Sequence, residues 1–398
     1  MKPESIVIAG YGSLSALGAD AATVRAAYEN GKVGVRLTAI GESPVYAAAL
    51  DSIGESQVTK LLEERHEYRS LDRSALLAVL CARSALASSG WSVDGGHCGV
   101  SFGSSRGATG LFEYYHRRFL EAPSSALSPR ASPTTTLGNI SSWVAQDLGL
   151  SGACLSHSST CSSAVHSLAN AVAWIRAGMA DRFLAGGSEA ALTPFTIAQM
   201  QALGIYSRDE LEGCACRPAA QSAKNTFVLG EGAACFALEK ESTYRARTAV
   251  AGPLLTLESI GVAMEPLTSP TSISSEADCI EKTMREALKS AEVEQVDALI
   301  LHAPGTIQGD EAELRAVRKV FSKSIPDLYS NKWVLGHTLG ASGALSLELA
   351  LLLLQGLEPC NPPYPNSLGR RRARPVRRVL VNSAGFGGNA ASLIVALK

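Results

Sequence analysis

Residues 298–302, Ala-Leu-Ile-Leu-His, read as a strand that delivers a histidine at its end, and the apolar spacing of 276–291 before them reads as a helix. Thirty-five residues after that histidine, Gly336-His337 opens an apolar helical stretch, Gly340–Gln355, that stops near Gly356. The first half of the chain echoes this order. A helix over 70–89 precedes the strand Cys98–Phe102, which runs into Gly103; thirty-six residues later Asn139 follows Gly138 and opens a helix ending near Gly149. The two patterns are offset by about 199 residues, half of the 398 in the chain. The spacing predicts a tandem duplication of one α/β unit, with the boundary near Arg245–Gly252 and halves of 1–248 and 249–398. Such halves pack their sheets together with a helical layer between them.

Working outward, strands alternate with helices along the whole chain, which is the α/β pattern. Ile6–Ala9 reads as a strand ending in Gly10-Tyr11-Gly12, Arg182–Ala185 as one ending in Gly186-Gly187, and Val379–Val381 as one leading into Gly385–Gly388. Cys161–Ala177 reads as a helix stopped by Gly178. Gly10-Tyr11-Gly12 lacks the third glycine of a dinucleotide fingerprint, since Ser15 stands there. A net charge of −1 creates no field that favours nucleic acid or a membrane surface. The nine cysteines are odd in number and irregular in spacing, and Cys214/Cys216 is not a zinc spacing, so a reducing cytoplasm and no metal are expected. No signal peptide is read ahead of the first strand. The longest apolar run, Leu345–Leu354, is interrupted by Ser346 and Glu348 and is too short to span a bilayer. Arg370–Arg378 carries six arginines in nine residues and reads either as a solvated loop or as a docking patch for an acidic partner.

The chemistry concentrates at three residues. Cys161 lies in Ser158-Ser159-Thr160-Cys161-Ser162-Ser163-Ala164, where a loop or strand gives way to the long helix. Backbone N–H groups and the helix dipole at such a junction favour a thiolate, although most lone cysteines are merely small buried residues. His302 ends a strand and His337 follows a turn-forming glycine, places where function collects. A cysteine with two histidines points to an activated thiol and a pair that stabilises or moves charge, which leaves a cysteine hydrolase open.

The ordered motifs resemble the β-ketoacyl-acyl carrier protein synthases of the thiolase superfamily, in their elongating, decarboxylating type. They are Ile6–Gly18 (IVIAGYGSLSALG), Ser159–Ala164, Ala185–Ala191 (AGGSEAA), Phe227–Gly232 (FVLGEG), His302–Glu313 (HAPGTIQGDEAE), Lys332–Gly343 (KWVLGHTLGASG) and Asn382–Leu393 (NSAGFGGNAASL). The resemblance implies a thiolase fold of duplicated α/β halves in five layers, αβαβα. It implies that Cys161 accepts an acyl chain, and that His302 and His337 assist decarboxylation of a malonyl-type extender and stabilise its enolate. It implies an oxyanion hole from the backbone N–H groups of Cys161 and Phe386, with Phe386 also a gate. Lys332 would disfavour protonation of the imidazoles. Thr306, Thr268, Ser269 and Phe227 match substrate-binding stretches. No cofactor is implied beyond the carrier's own phosphopantetheine arm. The implied partners are an acyl carrier protein and a second subunit, in a homodimer or a heterodimer with a synthase-like chain.

Two histidines favour an elongating enzyme over one that starts chains, and the absence of cysteine in Asn382–Asn389 argues against a degradative thiolase. Cys161 itself argues against a chain-length-factor-like subunit, which resembles a synthase but lacks the nucleophile. Several positions depart from the resemblance. Ser346 stands where the family has the glutamate that pairs with Lys332, and Glu348 is expected to point away. Pro304 replaces a threonine, Ala384 a phenylalanine, and Asn389-Ala390 a Thr-Asn pair. Arg106 replaces an apolar lining residue of the acyl pocket, so it is expected either to turn outward to a carboxylate or to mark a pocket not built for a saturated chain. These departures favour a specialised polyene- or polyketide-like pathway, of the aryl-polyene or flexirubin type, with housekeeping fatty-acid elongation as the alternative.

Overall fold

The computed structural model describes residues 4–92, 98–125, 127–248, 252–266, 274–369 and 374–398. In chain order the central-sheet strands and main helices of the first half are β1 (Ile6–Ser15), α1 (Arg73–Ser89), β2 (Cys98–Gly103), α2 (Asn139–Asp147), β3 (Cys154–His157), α3 (Ser163–Arg176), β4 (Arg182–Glu189) and β5 (Gly232–Lys240). Those of the second half are β6 (Leu255–Met264), α4 (Asp278–Ala291), β7 (Ala298–Ile300), α5 (Ile307–Val320), β8 (Asp327–Tyr329), α6 (Ser342–Leu354), β9 (Arg378–Gly385) and β10 (Asn389–Leu397).

The two halves share one topology. β2 runs parallel to β3 and β4, β4 antiparallel to β5, and β5 antiparallel to β1. In the same way β7 runs parallel to β8 and β9, β9 antiparallel to β10, and β10 antiparallel to β6. Two residue pairs, Ile6 with Leu257 and Val7 with Thr256, join the halves edge to edge into one ten-stranded sheet.

Three apolar layers explain the stacking. The helix α6 (SGALSLELALLLL) is apolar around its whole circumference, so it must be covered on every side, and all of its residues are buried. It packs with α3 between the two half-sheets, where Val165, Leu168, Leu345, Leu349 and Leu352 share a core with Ile300 and Phe236. A second cluster seals α1 and α2 to the outer face of the first half through Leu76, Leu77, Val79, Ile140 and Phe102. A third seals α4 and α5 to the second half through Ile280, Met284, Val317 and Leu299. The layer order is the expected αβαβα.

Three local expectations change. The strand β1 does not end at Gly10-Tyr11-Gly12 but runs through it to Ser15. Those glycines serve close helix packing: a Cβ on Gly10 would meet Ser89 N at 2.4 Å, and one on Gly12 would meet the Cys81 carbonyl at 2.6 Å. The helix α3 begins at Ser163, two residues past Cys161, because Thr160 takes a left-handed φ of 50°. The sequence echo also aligned the wrong helices. Asn139 opens α2, whose counterpart between parallel strands is α5; the counterpart of α6, which follows His337, is α3, which follows Cys161. Two further short helices, Thr109–Glu121 and Ala131–Thr135, lengthen the first crossover and displaced the echo. The expected boundary after residue 248 meets 249–251, outside the described residues.

Candidate active site

Cys161 stands in a turn wound on its own hydroxyls. Ser162 Oγ donates to the Ser159 carbonyl at 2.7 Å, Ser163 Oγ donates to that of Thr160 at 2.6 Å, and Ser163 Oγ accepts from Ser159 N at 2.9 Å. Such local bonds supply an alternative to the helix ladder and hold the left-handed Thr160 in place. Two strand ends press against the turn. A Cβ on Gly103, the last residue of β2, would lie 2.2 Å from Ser163 C; one on Gly385, the last of β9, would lie 1.8 Å from Thr160 Oγ1 and 2.9 Å from Cys161 N. The next residue, Phe386, has its carbonyl 3.2 Å from Thr160 Oγ1. Glycine at 385 therefore brings the Phe386 backbone to the Cys161 amide.

Cys161 is 6% exposed. Burial pushes its thiol up to about 12, the buried carboxylate of Glu189 adds to this, and Lys332 and Arg106 oppose it. The expected preference for thiolate is therefore reversed in the resting pocket. The helix starts two residues downstream, so its dipole is outweighed by desolvation.

His302 and His337 come together from the two ends of the second half's crossover. Their ring centroids are 5.1 Å apart at 78°, and Phe227 meets His337 edge-on at 5.3 Å. His302 follows β7, with its amide donating to Glu313 Oε1 at 2.9 Å. His337 is held through its backbone, donating to the Val228 carbonyl and accepting from Gly230 N at 3.0 Å. Burial, then Lys332, drives both imidazoles well below their usual range; for His302 the neighbouring His337 adds to this. Both rings are thus neutral at physiological pH. Lys332 is 1% exposed, and its Nζ has no hydrogen-bond partner among the described residues. Burial pushes the amine down to about 8, against the pull of Glu313 and then of Cys216, Asp310 and Cys161.

Ser346 explains the lone amine: its hydroxyl meets Asn331 Oδ1 at 3.4 Å and supplies no carboxylate to Lys332. Glu348 points away from Lys332, as expected from its helical spacing, and accepts instead from Ser13 Oγ on β1.

A cavity of about 350 Å3 gathers Cys161, His302, His337, Phe227, Thr306 and Phe386, together with the substituted positions Pro304 and Ala384. Met200, Leu203 and Ile205 give it an apolar flank, while Asn225 and Gln308 are polar. Arg106 is not on this wall. It is half-buried, and its Nη1 donates to Gln199 Oε1 at 2.6 Å. It meets a neutral amide, where a carboxylate was one of the two expectations; the adjacent Glu189 carboxylate already takes four other donors, one of them the Arg106 backbone amide. Thr268 and Ser269 lie outside the described residues. So do 370–373 of the arginine tract. Beyond them Arg374 pairs with Asp297 at 2.9 Å and Arg378 with Glu258 at 2.6 Å, so both bind the chain's own carboxylates.

Three buried carboxylates were not singled out from the sequence. Glu313 accepts from the amides of His302 and Ala303 and from Asn382 Nδ2. Asp310 accepts from Gly305 N, Thr306 N and Ala219 N, and burial pushes it up to about 7. They stand three residues apart on α5, hence on one face, and brace the loop 302–306. That spacing was legible inside the motif HAPGTIQGDEAE. Glu189, the third, closes β4.

All nine cysteines are free thiols. Among the described residues no group of three or more His, Cys, Asp or Glu could hold a metal ion, and no helix is long and apolar enough to cross a membrane.

This thiolase-type duplication, with a thiol and two imidazoles on one cavity, defines a condensing-enzyme fold. Residues 4–243 match the family "Beta-ketoacyl synthase, N-terminal domain" and 257–359 match "Beta-ketoacyl synthase, C-terminal domain", so the chain belongs to the β-ketoacyl synthase family. It is 30% identical to Nodulation protein E of Rhizobium leguminosarum bv. trifolii, over 91% of this chain and 88% of that protein. It is 26% identical to 3-oxoacyl-[acyl-carrier-protein] synthase 2 of Staphylococcus aureus strain COL, over 98% and 97%. The solved ishigamide ketosynthase/chain length factor superposes with a TM-score of 0.85 over the full length of both chains at 22% identity.

Proposed function

We propose that this chain is a catalytically active, elongating β-ketoacyl-acyl carrier protein synthase. The convergence of Cys161, His302 and His337 on one cavity carries the reading. Cys161 Sγ attacks the acyl thioester of a carrier protein; the carrier leaves as its thiol and the acyl group stays on sulfur. A malonyl thioester then loses its carboxylate as carbon dioxide, and its enolate oxygen takes hydrogen bonds from His302 and His337. Neutral imidazoles are suited to this as donors, and Lys332 with burial keeps them neutral. The enolate carbon attacks the acyl-Cys161 carbonyl, whose oxyanion faces the amides of Cys161 and Phe386. The C–S bond breaks and returns the sulfur to Cys161. Thr306 and Phe227 line the cavity, and we assign to them, and by the resemblance to Thr268 and Ser269, the binding of the extender arm. No further cofactor enters these steps.

A chain that retains Cys161 is read as the catalytic subunit, whether its dimer partner is a second copy or a synthase-like chain. The substitutions at Pro304 and Ala384 on the cavity wall, and at Ser346 beside Lys332, favour a specialised polyene- or polyketide-like substrate over housekeeping elongation. Incubation with candidate acyl carriers, followed by the mass of the adduct on Cys161, tests both points. Adduct on wild type and none on Cys161→Ser is expected. Equal or better turnover of saturated long chains than of α,β-unsaturated ones would sink the specialised reading.

A further inference from the structure

The duplicated turns define two equivalent sites, and only one is open. Thr160 and Leu339 each stand three residues before the first residue of their helix, and both are non-glycine residues with left-handed φ, 50° and 42°. Cys161 thus corresponds to Gly340. Each turn faces the last residue of a strand from the opposite half: Gly385 of β9 against Cys161, and Glu189 of β4 against Gly340. Where Gly385 leaves room beside an amide, Glu189 fills it.

The Glu189 carboxylate is fully buried and takes four hydrogen bonds. Its Oε2 accepts from Ser105 N at 2.7 Å and Gly340 N at 2.9 Å; its Oε1 accepts from Ser104 Oγ at 3.0 Å and Arg106 N at 3.2 Å. Three backbone amides aimed at one group form an anion-binding nest. We propose that Glu189 is a positioning residue for the condensation: it occupies the second-half counterpart of the nest beside Cys161 and fixes the two segments, 104–106 and 337–340, that flank the site. The proposal rests on the reading of Cys161 as nucleophile.

Two consequences follow from the geometry. The turn that carries His337 is tied through Gly340 N to a strand of the other half, so the imidazole keeps its place relative to Cys161. Burial pushes the Glu189 carboxyl itself up to about 7; above that pH its charge adds to the larger effect of burial in disfavouring the Cys161 thiolate. An amide cannot replace the group, because all three backbone partners are donors and a Gln NH2 would face at least one of them.

The test is Glu189→Gln, with iodoacetamide alkylation of Cys161 followed across pH by mass spectrometry, and condensation turnover measured on the same preparation. The expected result is an alkylation midpoint lower by about one pH unit, together with turnover down on the order of 10²-fold. A fall in turnover with an unmoved midpoint is what a merely structural carboxylate gives, and it overturns the proposal; so does a moved midpoint with unchanged turnover. If the variant is recovered only unfolded, Ser104→Ala decides. It removes one of the four bonds but leaves the carboxylate charged, so turnover is expected to fall about threefold with the midpoint kept; unchanged turnover overturns the proposal. Retained condensation in Cys161→Ser would instead refute the nucleophile reading, whereas inactive Cys161→Ser with an unaltered Glu189→Gln removes only the role of Glu189.

Discussion

The turn at 158–162 and the turn at 337–341 are built alike and used differently. Both lead from a parallel strand into a helix of the buried central layer, and both store one left-handed non-glycine residue at the same place. The first ends on a thiol beside an open, glycine-bounded space. The second presents an imidazole at its start and has its equivalent space closed by a carboxylate. One residue at the end of each facing strand, Gly385 or Glu189, makes the difference. Duplication thus supplied two equivalent turns: one keeps an open space beside the thiol, and the other has that space filled by a carboxylate held on three backbone amides.

The division of labour between the halves is tested most strongly at the histidines. His337→Ala and His302→Ala remove the two imidazoles proposed as enolate donors but leave the Cys161 turn untouched. Each is expected to lower decarboxylative condensation by about 10²–10³-fold while acyl transfer onto Cys161 persists. Stopped acylation and condensation assays check this; equal loss of both half-reactions would mean that the second half also builds the acylation site.

The glycine that keeps the first nest open comes next. Gly385→Ala places a methyl 1.8 Å from Thr160 Oγ1, so the turn must shift and the Cys161 amide with it. Acylation is expected to fall about 10- to 10²-fold, with condensation falling only in proportion. Acylation that proceeds at the parent rate would show that the space beside Cys161 N is not used.

How much of this was legible beforehand varies with the kind of signal. Cys161, His302 and His337 could be read together because all three stand at strand or helix junctions and the motifs around them keep their order, although each alone is more often structural. The duplicated α/β architecture was legible from the repeated helix-then-strand order that ends at Gly103 in one half and at His302 in the other. The pairing of its helices was not, since Thr109–Glu121 and Ala131–Thr135 lengthen one crossover and a fixed offset cannot follow an insertion. Glu189 escaped notice because its meaning depends on three amides that are distant in sequence. The surroundings of Arg106 and the thiol form of Cys161 depend on burial, which a local pattern does not report.

The smallest effect on activity is expected inside α6, where the central layer is least symmetric. Its seventh residue is Glu348; the seventh residue of α3 is Ala169. Glu348 is fully buried and holds one hydrogen bond, from Ser13, while its Oε2 has no partner among the described residues. Burial pushes its carboxyl from 4.5 up to about 7. The folded chain therefore keeps a proton that the unfolded chain has lost between those values, so this group's contribution to stability is full below pH 4.5 and declines as pH rises to about 7. The decline is on the order of 3 kcal/mol for a shift of that size. Glu348→Gln cannot ionise and should lack it. Urea unfolding near the two ends of that range should show the stability of the variant, relative to the parent, rising by about 2–3 kcal/mol toward neutral pH, with turnover unchanged. Asp310 and Glu189 titrate in the same range in both proteins and cancel from the difference. Parallel stability curves would show that Glu348 stays ionised within the layer, and that α6 tolerates a buried charge at the position where its counterpart carries a methyl group.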